Sequence, residues 1–227
     1  MIKGMVASMS VTIKRLSNQS WFEIKAGDKI VHVDPAYVRG AKKENVAGDV
    51  ADLILLTHSH MDHCDPKAVR AFSRGDTAIV GPASCAKKFH GRLKTVAPGD
   101  EINAGMVTVK ATAAYNEGVI RQFLHSKGAC VGYLITSGGQ TVYHAGDTDF
   151  IPDMASLGPV DVALLPISGL VTMDIEEAVK TAVAIRPKIV VPMHQNRADP
   201  AAFKEKMASA APDIKVVLMK AGDELAL

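Results

Sequence analysis

The sequence predicts an α/β protein of four layers, helix–sheet–sheet–helix. Three observations lead there. The first third alternates polar and apolar residues with period two, as half-buried strands do. The second half alternates apolar runs with amphipathic segments, as strand–helix units do. A short echo, "VAPGDEINAG" against "LMKAGDELAL", comes late in each half. Two similar halves packed sheet against sheet give the four layers.

In chain order, "VTIKRL", "SWFEIKA" and "KIVHVDP" read as strands, the last two joined by a tight "AGD" turn and the third ended by Pro35. A polar loop from Ala36 to Asp49, with Gly40, Gly48 and the charged "KKEN", leads to "DLILLT", a strand apolar enough to be buried on both faces. "DPKAVRAFSRG" reads as a helix capped by Asp65, with Pro66 in its first turn and Gly75 at its end. "TAIVG" is a short strand, and "PASCAKKF" starts a second helix. "KTVAPGDEINAGMVTVKATAAY" reads as strand, turn, strand, and "CVGYLITSGGQTVYHAGD" as a hairpin about Gly138 and Gly139. "VDVALLPI" and "KIVVPMH" are buried strands. Between them "TMDIEEAVKTAVAIRP" is an amphipathic helix, with Thr172 as the expected cap and Pro187 beyond its end. "DPAAFKEKMASAAP" is a last helix, and "IKVVLMKAGDELAL" closes with strands.

The chain has 227 residues, 48% of them hydrophobic, which suffices for a large core. No long linker or low-complexity segment interrupts it, so one domain over 1–227 is expected. A net charge of +2 without a basic stripe argues against nucleic acid as the main partner. Cys64, Cys85 and Cys130 are too few and scattered for a disulfide framework and suit a reducing compartment. The N-terminus lacks a continuous apolar signal region, and no run approaches the ~18 apolar residues of a membrane span. A soluble cytoplasmic protein is the expectation; Met5 and Met9 are alternative starts, and the first eight residues look dispensable.

One stretch carries the chemistry. In "LILLTHSHMDHC" an apolar run stops, and His58, His60, Asp62 and His63 follow within six residues. In an extended segment His58 and His60 face one side, so they can share a metal from a strand end. Asp62 and His63, past the turn, can reach a second metal. Imidazole with carboxylate suits Zn²⁺, and also Mn²⁺ or Fe. A polar loop with histidines by chance is the plain alternative, but the chain has only eight histidines, and three fall here.

"THSHMDH" resembles the HxHxDH signature of the metallo-β-lactamase-fold hydrolases, and its place after a buried strand agrees. The resemblance extends over most of the chain. "VYHAGDTDF" is similar to the strand and turn that carry a metal-bridging aspartate, here Asp147, and "IVVPMH" to the late strand ending in the last ligand, here His194. The resemblance implies an αββα sandwich with two divalent ions held at the sheet edge. "MDHCDP" and "HAGDTDF" are most similar to the small prokaryotic branch related to ascorbate 6-phosphate lactonases and N-acylphosphatidylethanolamine phospholipases D. The sequence departs from the family where a further histidine is usual: Asn116 ends "VTVKATAAYN". His125, nine residues on, is the favoured replacement ligand. Asn116 through its carbonyl oxygen, or a site holding only one metal tightly, are the alternatives.

The implied activity is hydrolysis of a small-molecule ester, lactone or phosphodiester by metal-activated water, with Asp62 orienting that water as well as binding metal. Neither a GxSxG elbow nor a P-loop is present. A non-catalytic metal-binding or sensor protein on the same fold, or a nucleic-acid phosphodiesterase, are the other readings. Arg121, Lys127 and Arg197 are candidate phosphate contacts, though solvated surface charge is the simpler reading of each. His144 reads as a packed or supporting histidine, Tyr115 and Trp21 as packed aromatics, and Cys64 as a small packed side chain.

Overall fold

The computed structural model describes residues 10–38, 46–118 and 121–227. The N-terminal segment with its alternative starts, and the "KKEN" stretch, lie outside them. Among the described residues two seven-stranded sheets are formed. The first takes β1 (Val11–Arg15), β2 (Phe22–Ala26), β3 (Lys29–Val33), β4 (Ala51–Leu55), β5 (Ser73–Gly81) and β6 (Leu93–Thr95) in chain order. The second takes β7 (Glu101–Ala104), β8 (Val107–Ala114), β9 (Cys130–Ser137), β10 (Gln140–His144), β11 (Val162–Pro166), β12 (Ile189–Met193) and β13 (Lys215–Val216), also in chain order. The last strand, β14 (Glu224–Ala226), returns to pair with β1.

The two sheets repeat one pattern. Three antiparallel pairings are followed by three parallel ones: β14–β1–β2–β3 then β3–β4–β5–β6, and β7–β8–β9–β10 then β10–β11–β12–β13. The echoed segments carry β7 and β14, the strands that occupy equivalent edges. Each follows a crossing from one sheet to the other.

Alternation along the strands builds the layers. Ile13, Phe22, Leu53 and Leu55 pack against Val109, Tyr133, Leu164 and Val191 between the sheets. Ile54 points the other way, onto Val69 and Cys85, so "DLILL" is buried on both faces. Outside the second sheet, Tyr143, Ala163 and Val190 meet Ala178 and Ala182 of α2 (Ile175–Ile185) and Phe203 and Met207 of α3 (Pro200–Ala210). Each large apolar side chain so buried contributes ~1.5–3 kcal/mol. The first sheet's outer layer is thinner. It consists of α1 (Pro66–Ala71) and a 3₁₀ turn over Ala83–Lys88.

Four local expectations are corrected. Asp65 caps α1 with Pro66 in its first turn, but the helix ends at Phe72, and Gly75 lies inside β5, which already pairs with β4 at Ser73. "PASCAKKF" forms the 3₁₀ turn because Pro82 offers no side-chain cap. "KTVAPGDEINAG…" divides between the sheets, β6 in the first and the β7–β8 hairpin in the second. Asp174, not Thr172, caps α2: its carboxylate accepts from Glu177 N at 2.8 Å, and Glu177 accepts from Asp174 N at 3.2 Å, a complete capping box. Thr172 instead pairs with Ser168 at 2.8 Å. No helix among the described residues is long and apolar enough to cross a membrane.

Candidate metal centre

The parallel strands bring their carboxyl ends to one edge, where such sheets hold ligands. Asp34 follows β3, the "THSHMDHC" loop follows β4, Asp147 follows β10, and His194 follows β12. His125 comes from the connection between β8 and β9, after a 3₁₀ turn over Arg121–Phe123. The histidine loop closes on itself: His60 O accepts from His63 N at 3.1 Å and from Cys64 N at 2.8 Å.

All seven residues expected as ligands meet at this edge. His58 Nε2 lies 3.1 Å from His60 Nδ1, which lies 3.2 Å from His125 Nε2. Beside them, Asp147 Oδ2 is 3.4 Å from both His63 Nε2 and His194 Nε2, and 3.6 Å from His125 Nε2. Asp62 Oδ2 is 3.4 Å from His194 Nε2 and 3.7 Å from His63 Nε2. The donors sort into the groups His58–His60–His125, His58–His63–Asp147 and Asp62–His63–His194, each with its ligand atoms within 4.8 Å of one another. Two ligands on a tetrahedral Zn²⁺, ~2.0–2.1 Å from the ion, stand ~3.3–3.4 Å apart. These spacings match.

Three atoms of these residues test the fit. His63 Nε2, His194 Nε2 and Asp147 Oδ1 are buried without a hydrogen-bond partner. Orphaned buried polar atoms are costly, and two imidazole nitrogens that face one carboxylate, each 3.4 Å from Asp147 Oδ2, suit a cation. Electrostatics agree. Burial opposes the Asp147 charge, but His63 and His194 outweigh it and hold the carboxyl well below its usual range. Asp62 is likewise drawn down to about 2 against its desolvation, by His194 and His63. Burial, with His63 nearby, keeps His58 neutral, the form that ligates. Burial also opposes charge on His63, yet Asp147 and Asp34 on either side raise its pKa well above normal.

The surrounding bonds aim the rings. His63 Nδ1 donates to Asp34 Oδ2 at 2.7 Å, and the same carboxylate accepts from Thr57 N at 2.7 Å and Thr57 Oγ1 at 2.6 Å. His125 Nδ1 donates to Asn116 Oδ1 at 2.6 Å and faces Val171 O at 3.1 Å. Asn116 Nδ2 in turn donates to Asp149 at 2.7 Å. Asn116 thus stands behind His125, its Oδ1 engaged by the ring and its Nδ2 by Asp149. Asp34 and Asp149 were missed from sequence. For Asp34 a signal existed: an acid directly after a buried strand, in "VHVDP", as in "VYHAGD".

His144 lies outside the ligand groups, between Ser20 O at 2.9 Å and Gly146 N at 3.2 Å. Trp21 and Cys64 are core. Lys127 sits 5.0 Å from the Tyr115 ring centre, and Arg121 is tied to Asp149 and Thr172 O. Arg197 lines a cavity of about 590 Å³ with Ser168, Gly169, Leu170 and Asn196.

The fold and this histidine–aspartate edge define a metallo-β-lactamase-type protein. A sequence model of the Beta-lactamase superfamily domain matches residues 12–194, and the chain belongs to that superfamily. Within it, the relatives are metal-dependent hydrolases. A "UPF0173 metal-dependent hydrolase" of Pyrococcus abyssi is 37% identical over 222 residues, covering 88% of this chain and 93% of the relative. Another from Caldivirga maquilingensis is 33% identical, covering 91% and 94%. The solved structure of Igni18, a metallo hydrolase from Ignicoccus hospitalis, superposes with a TM-score of 0.80 at 28% identity, over 96% of this chain and 98% of that one. The chain is a metal-dependent hydrolase of this fold.

Proposed function

We propose that the edge holds two divalent metal ions, Zn²⁺ by preference for its nitrogen-rich donor set, and that the enzyme hydrolyses an ester, lactone or phosphodiester of a small molecule. His58, His60 and His125 hold one ion; Asp62, His63 and His194 hold the other; Asp147 lies between. The observation that carries this is that two buried, unpartnered imidazole nitrogens, His63 Nε2 and His194 Nε2, both stand 3.4 Å from Asp147 Oδ2 beside a three-imidazole cluster. Ions held there supply Lewis acidity toward a substrate oxygen and acidify water enough to make a nucleophile near neutral pH.

The chain's own groups do the rest. Asp62 is the open side of the site, with its side chain 37% exposed where Asp147 is 3% exposed. Its depressed pKa keeps it an acceptor, so it orients the attacking water. Asp34 and Asn116 accept from Nδ1 of His63 and His125, so each ring turns Nε2 toward the metal position; a metal there would displace the Nε2 proton that Asp147 and Asp34 favour on His63. Three free, buried cysteines suit a reducing compartment, and we assign the enzyme to the cytoplasm.

The test is metal analysis of purified protein together with hydrolysis of bis(4-nitrophenyl) phosphate and a 4-nitrophenyl ester. Two equivalents of bound metal and metal-dependent turnover that is lost in Asp62→Ala are expected. Fewer than two equivalents after reconstitution overturns the two-metal reading, and full activity in Asp62→Ala overturns the role of Asp62.

A further inference from the structure

Arg15 ends β1, and its side chain is buried to 1% exposure. No carboxylate among the described residues pairs with it. Its donors reach six neutral acceptors: Nε donates to Ser17 O at 2.8 Å, Nη1 to Pro192 O at 3.2 Å and Met219 O at 2.8 Å, and Nη2 to Asn18 O at 2.9 Å, Gln19 O at 3.2 Å and Gln195 Oε1 at 2.6 Å. Burial lowers its pKa to about 10, with Asp223 opposing the shift. A buried charge met only by neutral groups, six carbonyl oxygens and the Phe22 ring centred 5.7 Å from the guanidinium carbon, is an expensive way to fill space; an apolar side chain packs there at less cost. What the guanidinium adds is a rigid fork of five donors, and this fork ties the first sheet to the end of β12 in the second.

That end carries His194. Pro192 lies two residues before it, and Gln195 directly follows. Gln19 O, already bonded to Arg15, also accepts from His194 N at 3.4 Å. His194 itself has φ +46°, in the left-handed region. A non-glycine residue stays there only when its surroundings over-determine it. Three of the six Arg15 contacts surround this one residue.

We infer that Arg15 is a positioning residue for His194, and that its contacts to Gln195 and Gln19 set the affinity of the Asp62–His63–His194 metal position. It touches neither metal nor substrate. The inference rests on the two-metal reading above.

The experiment loads wild type, Arg15→Met, Arg15→Lys and Gln195→Leu with Co²⁺, and follows stoichiometry and affinity by visible absorption and chelator competition. Unfolding is measured alongside in EDTA. In Gln195→Leu, which removes one acceptor and leaves the backbone clamp, affinity for the second equivalent is expected to fall about tenfold, with the first unchanged. In Arg15→Met the fall is expected to reach about 100-fold, within the range for groups that orient metal ligands. Arg15→Lys, with three donors in place of five, should not restore it. A purely structural Arg15 lowers the stability of the metal-free variants but leaves both affinities as in wild type, and that result overturns the inference. Where the Arg15 variants do not fold, wild-type affinities in Gln195→Leu overturn it alone. Fewer than two equivalents in the wild type instead overturns the two-metal reading.

Discussion

Asp34→Asn is the change that best isolates how His63 is aimed. Asp34 is fully buried and sits at φ +53°, a conformation that asparagine tolerates. The replacement therefore keeps backbone and volume. Its Oδ1 still accepts from Thr57 N, and the Thr57 hydroxyl can turn to accept from the new amide. At His63 no such repair exists. An amide N–H now faces the Nδ1–H that bonded to Asp34 Oδ2 at 2.7 Å. To avoid two facing donors, the neutral His63 ring must carry its proton on Nε2, the atom aimed at Asp147 and Asp62, and not on Nδ1. A protonated Nε2 does not ligate.

Two magnitudes follow. Losing one buried hydrogen bond to a charged group costs about 1.5–3 kcal/mol in the metal-free protein. Altering the partner that orients a histidine ligand costs about 10–100-fold in metal affinity, or about 1.4–2.8 kcal/mol. Denaturant unfolding in EDTA reads the first, and competition with a chromophoric chelator reads the second. Lower stability with wild-type metal affinity would falsify the tautomer argument, because packing loss alone produces that pair of results.

Three further changes probe the frame around the site. Gly146, at φ +67°, has no room for a Cβ: one would stand 3.0 Å from Val131 O and 3.1 Å from Thr57 Cβ. Gly146→Ala should lose about 1–3 kcal/mol and shift Asp147, so an unchanged Tm together with unchanged metal binding refutes the steric account. Asp174→Ala removes the capping box of α2 and should lower stability by about 1 kcal/mol and Tm by about 2–4 °C while leaving metal affinity alone; a drop in affinity would show that α2 is coupled to the site. The Glu23 carboxyl is held below its ordinary 4.5: burial opposes its charge, but His32, Asp49 N and Lys25 outweigh it. A depressed folded value gives stability that is present above the unfolded pKa and lost as pH falls through the folded one. Acid unfolding of the metal-free protein should therefore steepen below about pH 4.3 and flatten in Glu23→Gln; identical slopes count against this.

What the sequence disclosed was what local spacing controls. His58 and His60, two apart past an apolar run, meet at 3.1 Å, although the chain bends at Ser59 and His60 and does not stay extended between them. The strand alternation and the hairpin at Gly138 and Gly139 were legible from local spacing too. The α2 cap was misjudged between two good capping residues, although Asp174-x-x-Glu177 carries the capping box and Thr172 does not. Arg15 was harder. Period two puts it on the inward side with Val11 and Ile13, while its charge argues for solvent. The acceptors that resolve the conflict lie up to 204 residues away. Asp34 showed its place, an acid after a buried strand, but not its role, which depends on a contact with His63, 29 residues on.

The repeat explains why the site has two kinds of aspartate. In the matched order of the two sheets, β3 of the first corresponds to β10 of the second, each pairing antiparallel on one side and parallel on the other. Asp34 comes just after β3 and Asp147 just after β10. Each is reached through a left-handed residue, Asp34 itself at φ +53° and Gly146 at φ +67°. His63 lies between them, with Nδ1 2.7 Å from Asp34 and Nε2 3.4 Å from Asp147. Equivalent positions in the two halves thus grip opposite nitrogens of one imidazole. They do different work because the loop after β4, in the first half, carries the histidines, whereas its counterpart after β11 does not. Asp34, directly beneath that loop, has its acceptor capacity taken by Thr57 and His63 and is closed off. Asp147, facing the loop from the other sheet, keeps Oδ1 unpartnered. One carboxylate is left to orient His63 and the other to face the proposed metal.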